Sequence, residues 1–183
     1  MSDLTAKVGL SQEADPSLRI RLAKKTDLPA LEWEGEFIHF RQLFALAYYR
    51  AEKGRALLWL LEENEKRLVG QVFVLLKSSG DPSVADGRRR AFIHSFRVRP
   101  TMRNRGLGKA LMEHAENDLI SRGFRWATLN VALDNPDALR FYERMQYQRM
   151  GQEEGLWSYM DHMGRLREVR EPSWSMRKKL GNS

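Results

Sequence analysis

Cysteine is absent from the 183 residues of this chain. The absence excludes disulfide bonds, thiolate metal sites and cysteine nucleophiles, and because it fits a reducing compartment we expect a cytoplasmic protein. Long apolar runs are also absent, the longest being short pieces such as Ala56–Leu61 and Val72–Leu76. A membrane helix needs about 20 apolar residues, so the sequence predicts no membrane span. Residues 1–16 lack the apolar region of a secretory signal, and we interpret them as a flexible N-terminal tail.

Charge is abundant, with 31 Lys and Arg against 24 Asp and Glu and a formal net charge of +7. A basic excess favours anionic partners without choosing among phosphates, nucleic acid and acidic surfaces. The 42% of hydrophobic residues supports a packed core, and the length fits one domain over residues 17–183.

The apolar pattern changes repeatedly between strand and helix periods. Residues 17–23 alternate as a strand, 37–53 have helical spacing, and two apolar runs on either side of 62–67 predict a hairpin. Further strands are predicted at 91–99, 126–133, 147–151 and 172–179, and further helices after Leu107 and after Asn135. On the strand 91–99 the alternation predicts one shared face for Phe92, His94, Phe96 and Val98. Residues 153–171 have no clear period and are interpreted as a polar insertion.

The most informative segment is Arg103-Asn104-Arg105-Gly106-Leu107-Gly108-Lys109, between a predicted strand and a predicted helix. Its glycines let the backbone approach a ligand, and the free amides of a helix start suit a pyrophosphate. A Walker loop is excluded because alanine follows Lys109 where a Mg²⁺-binding hydroxyl is needed, and the dinucleotide fingerprint lacks its third glycine.

With this loop the chain resembles the GCN5-related N-acetyltransferase (GNAT) family, whose acyl-CoA loop reads Gln/Arg-x-x-Gly-x-Gly/Ala after a strand. The family's second signature, Asn-x-x-Ala-x-x-Phe-Tyr, is matched by Asn135, Ala138, Phe141 and Tyr142. The resemblance extends over roughly 18–179. It implies an α/β fold with a mixed, mostly antiparallel central sheet, splayed at the acyl-CoA site and flanked by helices. It also implies direct transfer of the acetyl group of acetyl-CoA to a primary amine, without a metal.

Residue roles follow from the resemblance. The segment from Arg103 to Lys109, comprising Arg103, Asn104, Arg105, Gly106, Leu107, Gly108 and Lys109, would hold the pyrophosphate of acetyl-CoA. A backbone N–H among Phe96, Arg97 and Val98 would polarise the thioester carbonyl. Asn135 would bind the pantetheine arm, although it is equally suited to cap a helix, and the two roles can coexist.

Tyr142 stands at the family's general-acid position, where a phenol could protonate the departing CoA thiolate. Its alternative role is packing between helix and sheet. The candidate bases are His94, Glu34 and Glu36, or water, and the alternatives are a histidine satisfied inside the sheet and solvated carboxylates. Some relatives that act on protein N-termini carry Glu where this chain has Asn130, which weakens that assignment.

In this family the segment after the first helix usually borders the acceptor. Here it carries carboxylates and aromatic rings that suit a cationic amine, or that simply form core and solvated surface: Glu32, Trp33, Glu34, Glu36, Phe37, His39 and Phe40. The sequence leaves open the acceptor, a homodimer and a non-catalytic acyl-CoA sensor. Nucleic-acid binding is disfavoured because the basic residues are mixed with acids.

Overall fold

A computed structural model describes residues 6–7, 17–64 and 67–181 of the chain. Its strands are β1 (Ala6–Lys7), β2 (Leu18–Leu22), β3 (Ala56–Glu63), β4 (Arg67–Leu75), β5 (Arg90–Val98), β6 (Trp126–Ala132), β7 (Gln148–Glu153), β8 (Leu156–Met160), β9 (Leu166–Arg170) and β10 (Ser173–Lys179). Its α-helices are α1 (Arg41–Glu52), α2 (Leu107–Ser121) and α3 (Pro136–Arg144). Short 3-10 helices occupy Lys25–Glu32, Ile38–Phe40 and Pro100–Met102.

The N-terminal segment 1–16 is described only at Ala6–Lys7, which pairs with β2. Apart from those two residues, the predicted flexible tail lies outside the described residues. The predicted first strand is confirmed at Leu18–Leu22. The helix predicted over 37–53 is confirmed from Arg41 onward, with a 3-10 turn at Ile38–Phe40 before it.

Eight of the described strands form one sheet in the order β1-β2-β3-β4-β5-β6-β10-β7. All neighbours run antiparallel except β5 and β6, which are parallel. That parallel pair is short, joining Arg90–Phe92 to Trp126–Thr128, so the rest of β5 has no partner on β6. The sheet is therefore splayed between its two central strands, and the predicted mixed, mostly antiparallel architecture is confirmed.

Both faces of the sheet are buried, which explains the uninterrupted apolar run of β3. Leu57, Trp59 and Leu61 contribute to a core cluster under α2 and α3, whereas Leu58 and Leu60 contribute to a second cluster under α1. Helix α2 buries one stripe at helical spacing, formed by Leu107, Leu111, Met112, Ala115 and Leu119.

The predicted common face of Phe92, His94, Phe96 and Val98 is wrong. His94 pairs with Phe73 and Arg97 pairs with Gln71, so two residues of β5 lie opposite one residue of β4. The extra residue forms a bulge, and Ser95 has a positive φ of 51°. Because a bulge shifts the alternation by one residue, Phe96 lies on the α2 and α3 face and Arg97 on the α1 face.

The polar insertion at 153–171, which has no clear period in the sequence, folds as an antiparallel hairpin of β8 and β9. Its turn is closed by Asp161, whose Oδ1 accepts hydrogen bonds from the amides of Met163 and Arg165 at 2.9 and 3.0 Å. Most hairpin residues are exposed. With no buried face, the strands have no polar-apolar alternation from which sequence periodicity could identify them.

Candidate active site

The loop before α2 leads into a helix whose first turn has no side-chain cap. Asn104 and Gly106 have positive φ angles of 60° and 76°, and Gly106 is the N-cap of α2. A helix leaves its first amides without an intrahelical acceptor, and no side chain caps them here. The amides of Leu107, Gly108 and Lys109 therefore remain available to an anion, in the direction favoured by the helix dipole.

The packing behind this loop is tight. A Cβ added at Gly108 would lie 3.2 Å from Cζ of Phe96, so glycine lets α2 approach β5 closely. Arg103 donates from Nε to the carbonyl of Val98 at 3.0 Å, which ties the loop to the end of β5. Together with Arg105 and Lys109 it makes the loop basic, and this surrounding fits the pyrophosphate of acetyl-CoA.

Tyr142 lies on α3, close to the bulged strand. Its ring is 6.1 Å from the ring of Phe96 and 5.7 Å from the ring of Tyr147. The side chain is buried, and burial raises the pKa of its hydroxyl because the phenolate would be desolvated. The Tyr142 hydroxyl makes no hydrogen bond to the described residues, so no structural partner occupies it. Asn135 caps α3, its Oδ1 accepting from the amide of Ala138 at 3.1 Å.

His94 lies between the rings of Phe73 and Phe92, at centroid distances of 5.8 and 6.0 Å. Its Nδ1 is 3.1 Å from Oγ of Ser95. Burial, with the nearby charges of Arg50 and Arg97, lowers the pKa of His94 to about 4. The imidazole is therefore neutral at pH 7 and a weak base for an ammonium group.

Two of the three carboxylates predicted beside the acceptor are held by arginines. Glu34, whose side chain is 75% exposed, accepts two hydrogen bonds from Arg99 at 2.8 and 2.9 Å. Glu32 accepts two from Arg41 at 2.6 and 2.9 Å. Each arginine lowers the pKa of its carboxyl group, chiefly through these hydrogen bonds. Glu36 is exposed and makes no ion pair within the described chain.

Aromatic rings from two distant segments meet near Arg97, which lies over the rings of Phe37 and Phe40. Phe40 from the 3-10 turn lies 5.1 Å from the ring of Tyr159 and 6.4 Å from that of Trp157, both on β8. We call this group of rings the aromatic cluster, formed by Phe37, His39, Phe40, Trp157 and Tyr159.

A model of the Acetyltransferase (GNAT) family matches residues 24–147, more than half of the chain. This chain belongs to the GNAT acetyltransferase family. The match includes the splayed strands, the loop before α2 and the signature residues of α3. The fold is thus that of acyl-CoA N-acyltransferases.

Solved GNAT structures resemble this chain at low sequence identity. A mutant of the spermidine N-acetyltransferase SpeG from Vibrio cholerae is 17% identical, with 90% of this chain and 95% of that chain covered and a TM-score of 0.65. The ribosomal-protein-S18-alanine N-acetyltransferase from Escherichia coli is 22% identical, with coverages of 91% and 96% and a TM-score of 0.63. Arabidopsis thaliana NAA60 in complex with a bisubstrate analogue is 20% identical, with coverages of 91% and 99% and a TM-score of 0.66.

Within this GNAT fold the structure brings the predicted cofactor loop, the bulged segment and Tyr142 together around the splay. His94 lies within the sheet beside the bulge, and the Glu34 carboxylate is at the surface, paired with Arg99. Sequence reasoning missed Trp157 and Tyr159, although two aromatic residues within Leu156-Trp157-Ser158-Tyr159-Met160 were a visible signal. It also assigned Arg97 only a backbone role, because the bulge that directs its side chain has no sequence signature.

Two kinds of feature are absent from the described residues. No cluster of three or more His, Asp or Glu side chains suited to a metal ion occurs among residues 6–7, 17–64 and 67–181. Within the same ranges no helix has the length and apolar content needed to cross a membrane.

Proposed function

We propose that this GNAT protein transfers the acetyl group of acetyl-CoA directly to the nitrogen of a primary amine. The observation that carries the proposal is the uncapped, basic start of α2 beside the splay between β5 and β6. Two structural neighbours, a spermidine N-acetyltransferase and a ribosomal-protein-S18-alanine N-acetyltransferase, support an amine as the acceptor class.

In the proposed reaction, the acceptor nitrogen forms a bond to the thioester carbonyl carbon, and the carbon–sulfur bond then breaks. Backbone N–H groups of Phe96, Arg97 and Val98, beside the bulge, would stabilise the negative charge that develops on the carbonyl oxygen. Tyr142 would give its hydroxyl proton to the departing thiolate. Burial raises the pKa of Tyr142, which keeps this hydroxyl protonated but makes it a weaker acid than a free phenol, so the transfer depends on the thiolate lying close to it.

The acceptor nitrogen must also lose a proton, because the product is a neutral amide. The low pKa of His94 and the two arginine hydrogen bonds of Glu34 make both weaker proton acceptors than their sequence positions predicted. Glu36 is exposed at the same loop without an ion pair in the described chain. We therefore propose that water removes this proton. Among the carboxylates, Glu36 remains the candidate for this step.

Calorimetric titration with acetyl-CoA tests the cofactor site. We expect the parent protein to bind and Gly106→Glu to lose most of its affinity, because the new carboxylate repels the pyrophosphate. Gly123→Glu is a matched control: Gly123 follows the other end of α2, has a positive φ of 85° and has open space around it. The control variant should bind normally. Absence of binding by the parent protein would remove the basis of the proposal.

A further inference from the structure

Arg97 is a half-buried cation that forms no ion pair in the described residues. Its guanidinium carbon lies 3.9 Å from the ring centre of Phe37 and 5.4 Å from that of Phe40. Its Nη1 is buried and has no hydrogen-bond acceptor in the described chain. The desolvation lowers the pKa of Arg97 to about 10, which expresses the cost of holding this cation away from water.

None of the carboxylates near the aromatic cluster pairs with Arg97 in the described residues. Glu32 and Glu34 each accept two hydrogen bonds from another arginine. Asp161 accepts from Arg167 at 2.8 Å. Glu36 attracts Arg97 electrostatically, but no hydrogen bond or ion pair joins them in the described residues. Among these residues the cluster thus presents a positive group and no unpaired buried carboxylate, which does not suit an acceptor with several positive charges.

A second unpaired polar atom lies next to Arg97. Gln71 faces Arg97 in the register of β4 and β5, so both side chains project from the same face of the sheet. Its Nε2 donates to the carbonyl of Ser95 at 3.2 Å, but its Oε1 is buried without a donor. Nη1 of Arg97 is thus a buried donor, and Oε1 of Gln71 is a buried acceptor on the neighbouring strand. Together they are complementary to a carboxylate and an amine carried by one small molecule.

We propose that Arg97 binds the carboxylate of the acceptor, and that the acceptors are free amino acids with apolar side chains. This inference rests on the proposed acetyl transfer and specifies its acceptor. The guanidinium fork matches a carboxylate in geometry and charge, and the rings of Phe40, Trp157 and Tyr159 supply an apolar surface for the side chain. Arg97 itself belongs to the segment 96–98, whose backbone N–H groups would hold the thioester, so an amino acid bound at the guanidinium stays beside that segment.

Direct binding tests the role of Arg97 without requiring turnover. The probes are the N-acetyl derivatives of phenylalanine, leucine and methionine, each as the free acid and as the uncharged carboxamide, titrated with CoA present and absent. We expect at least one acid to bind the parent protein about tenfold or more tightly than its carboxamide. In Arg97→Gln this preference should fall below about twofold. Equal binding of acid and carboxamide, no binding of any acid, or a preference that survives in Arg97→Gln would each overturn the proposal.

Two further variants separate charge from packing. Arg97→Met keeps an unbranched apolar side chain over Phe37 and removes the charge, so it should lose the acid preference while retaining the parent melting temperature within a few degrees. Arg97→Lys keeps the charge without the fork and should retain part of the preference. A preference retained in Arg97→Met would show that packing, not the cation, selects the acid, and would contradict the proposal.

Steady-state turnover of free amino acids and their amides tests the proposal independently of binding. An amino acid amide has a less basic amine than the free acid, so more of it is neutral at pH 7 and basicity alone favours the amide. We expect kcat/KM of the parent protein to favour the acid by about tenfold, and Arg97→Gln to lose about 100-fold on the acid and less than threefold on the amide. Faster turnover of polyamines than of any amino acid would overturn the assigned acceptor. Failure of the proposed acetyl transfer itself is seen separately, as absent acetyl-CoA binding.

Discussion

Tyr142 and Tyr147 are both buried, and the centroids of their rings lie 5.7 Å apart, yet their hydroxyl groups have different environments. The Tyr142 hydroxyl has no hydrogen-bond partner in the described chain, and we therefore expect Tyr142→Phe to leave the melting temperature unchanged. If this hydroxyl protonates the thiolate, kcat should fall by about 100-fold with acetyl-CoA affinity retained. Steady-state kinetics and calorimetry measure the two quantities. A variant with parent-like kcat would show that Tyr142 only packs.

Tyr147 provides the matched substitution. Its hydroxyl donates to Oε1 of buried Glu116 at 2.9 Å, and Lys178 donates to Oε2 of the same carboxylate at 2.5 Å. Tyr147→Phe leaves one buried carboxylate oxygen without that donor, so the free energy of unfolding should fall by about 1–3 kcal/mol. Because this hydroxyl points to α2 and not to the splay, kcat should stay within about threefold. Chemical denaturation of both tyrosine variants provides the comparison.

At the scale of elements, the β8–β9 hairpin depends on one glycine. A Cβ at Gly155 would lie 1.8 Å from the carbonyl oxygen of Glu171, so Gly155→Ala must displace the base of the hairpin. We expect faster amide hydrogen exchange over 156–170 and an unchanged rate over 67–98. Because Trp157 and Tyr159 lie on β8, this displacement should disturb the aromatic cluster and raise KM for the acceptor. The affinity for acetyl-CoA should stay within about twofold of the parent.

Gly164→Ala is the control for Gly155→Ala. Gly164 also has a positive φ, 74°, but open space surrounds it in the hairpin turn. The substitution costs about 1 kcal/mol of local backbone strain without a clash. It should leave exchange at the base of the hairpin unchanged. Equal effects of the two variants would show that backbone strain, not the contact with Glu171, displaces the hairpin.

The success of sequence-based prediction also differed between elements. Strands with a buried face and helices with an apolar stripe were placed correctly, because burial imposes a period on the sequence. The loop before α2 and the Asn135 cap were found because backbone conformation and capping require particular residue types. The bulge at Ser95 arises from strand pairing, which no local pattern encodes, and it determines which face Arg97 occupies. The hairpin was missed because exposed strands carry no period.

For the whole molecule, two half-buried histidines, His94 and His114, make stability depend on pH. Burial lowers the pKa of His94 to about 4 and lowers that of His114, which packs 4.4 Å from the ring of Trp59. In the unfolded chain both would titrate near pH 6.5. Below that pH the unfolded state therefore binds more protons, so the free energy of unfolding rises with pH and is lost as pH falls from about 6.5 toward 4. Each histidine contributes a slope of up to about 1.4 kcal/mol per pH unit.

Urea unfolding between pH 4 and 7 measures this slope, to which Glu32 and Glu34, whose pKa values are lowered by their arginine partners, add only below about pH 5. Hydrogen bonds lower the pKa of Asp86 and Asp161 to about 2, so the stability that these groups contribute is lost mainly below pH 4. His94→Gln and His114→Gln should each flatten the slope between pH 4 and 6.5, and the double variant should flatten it further. His162→Gln, at an exposed position in the β8–β9 turn, should keep the parent slope. If the double variant also keeps the parent slope, the acid sensitivity does not come from these two histidines. His94 is then protonated more readily in the folded protein than its position between two aromatic rings implies.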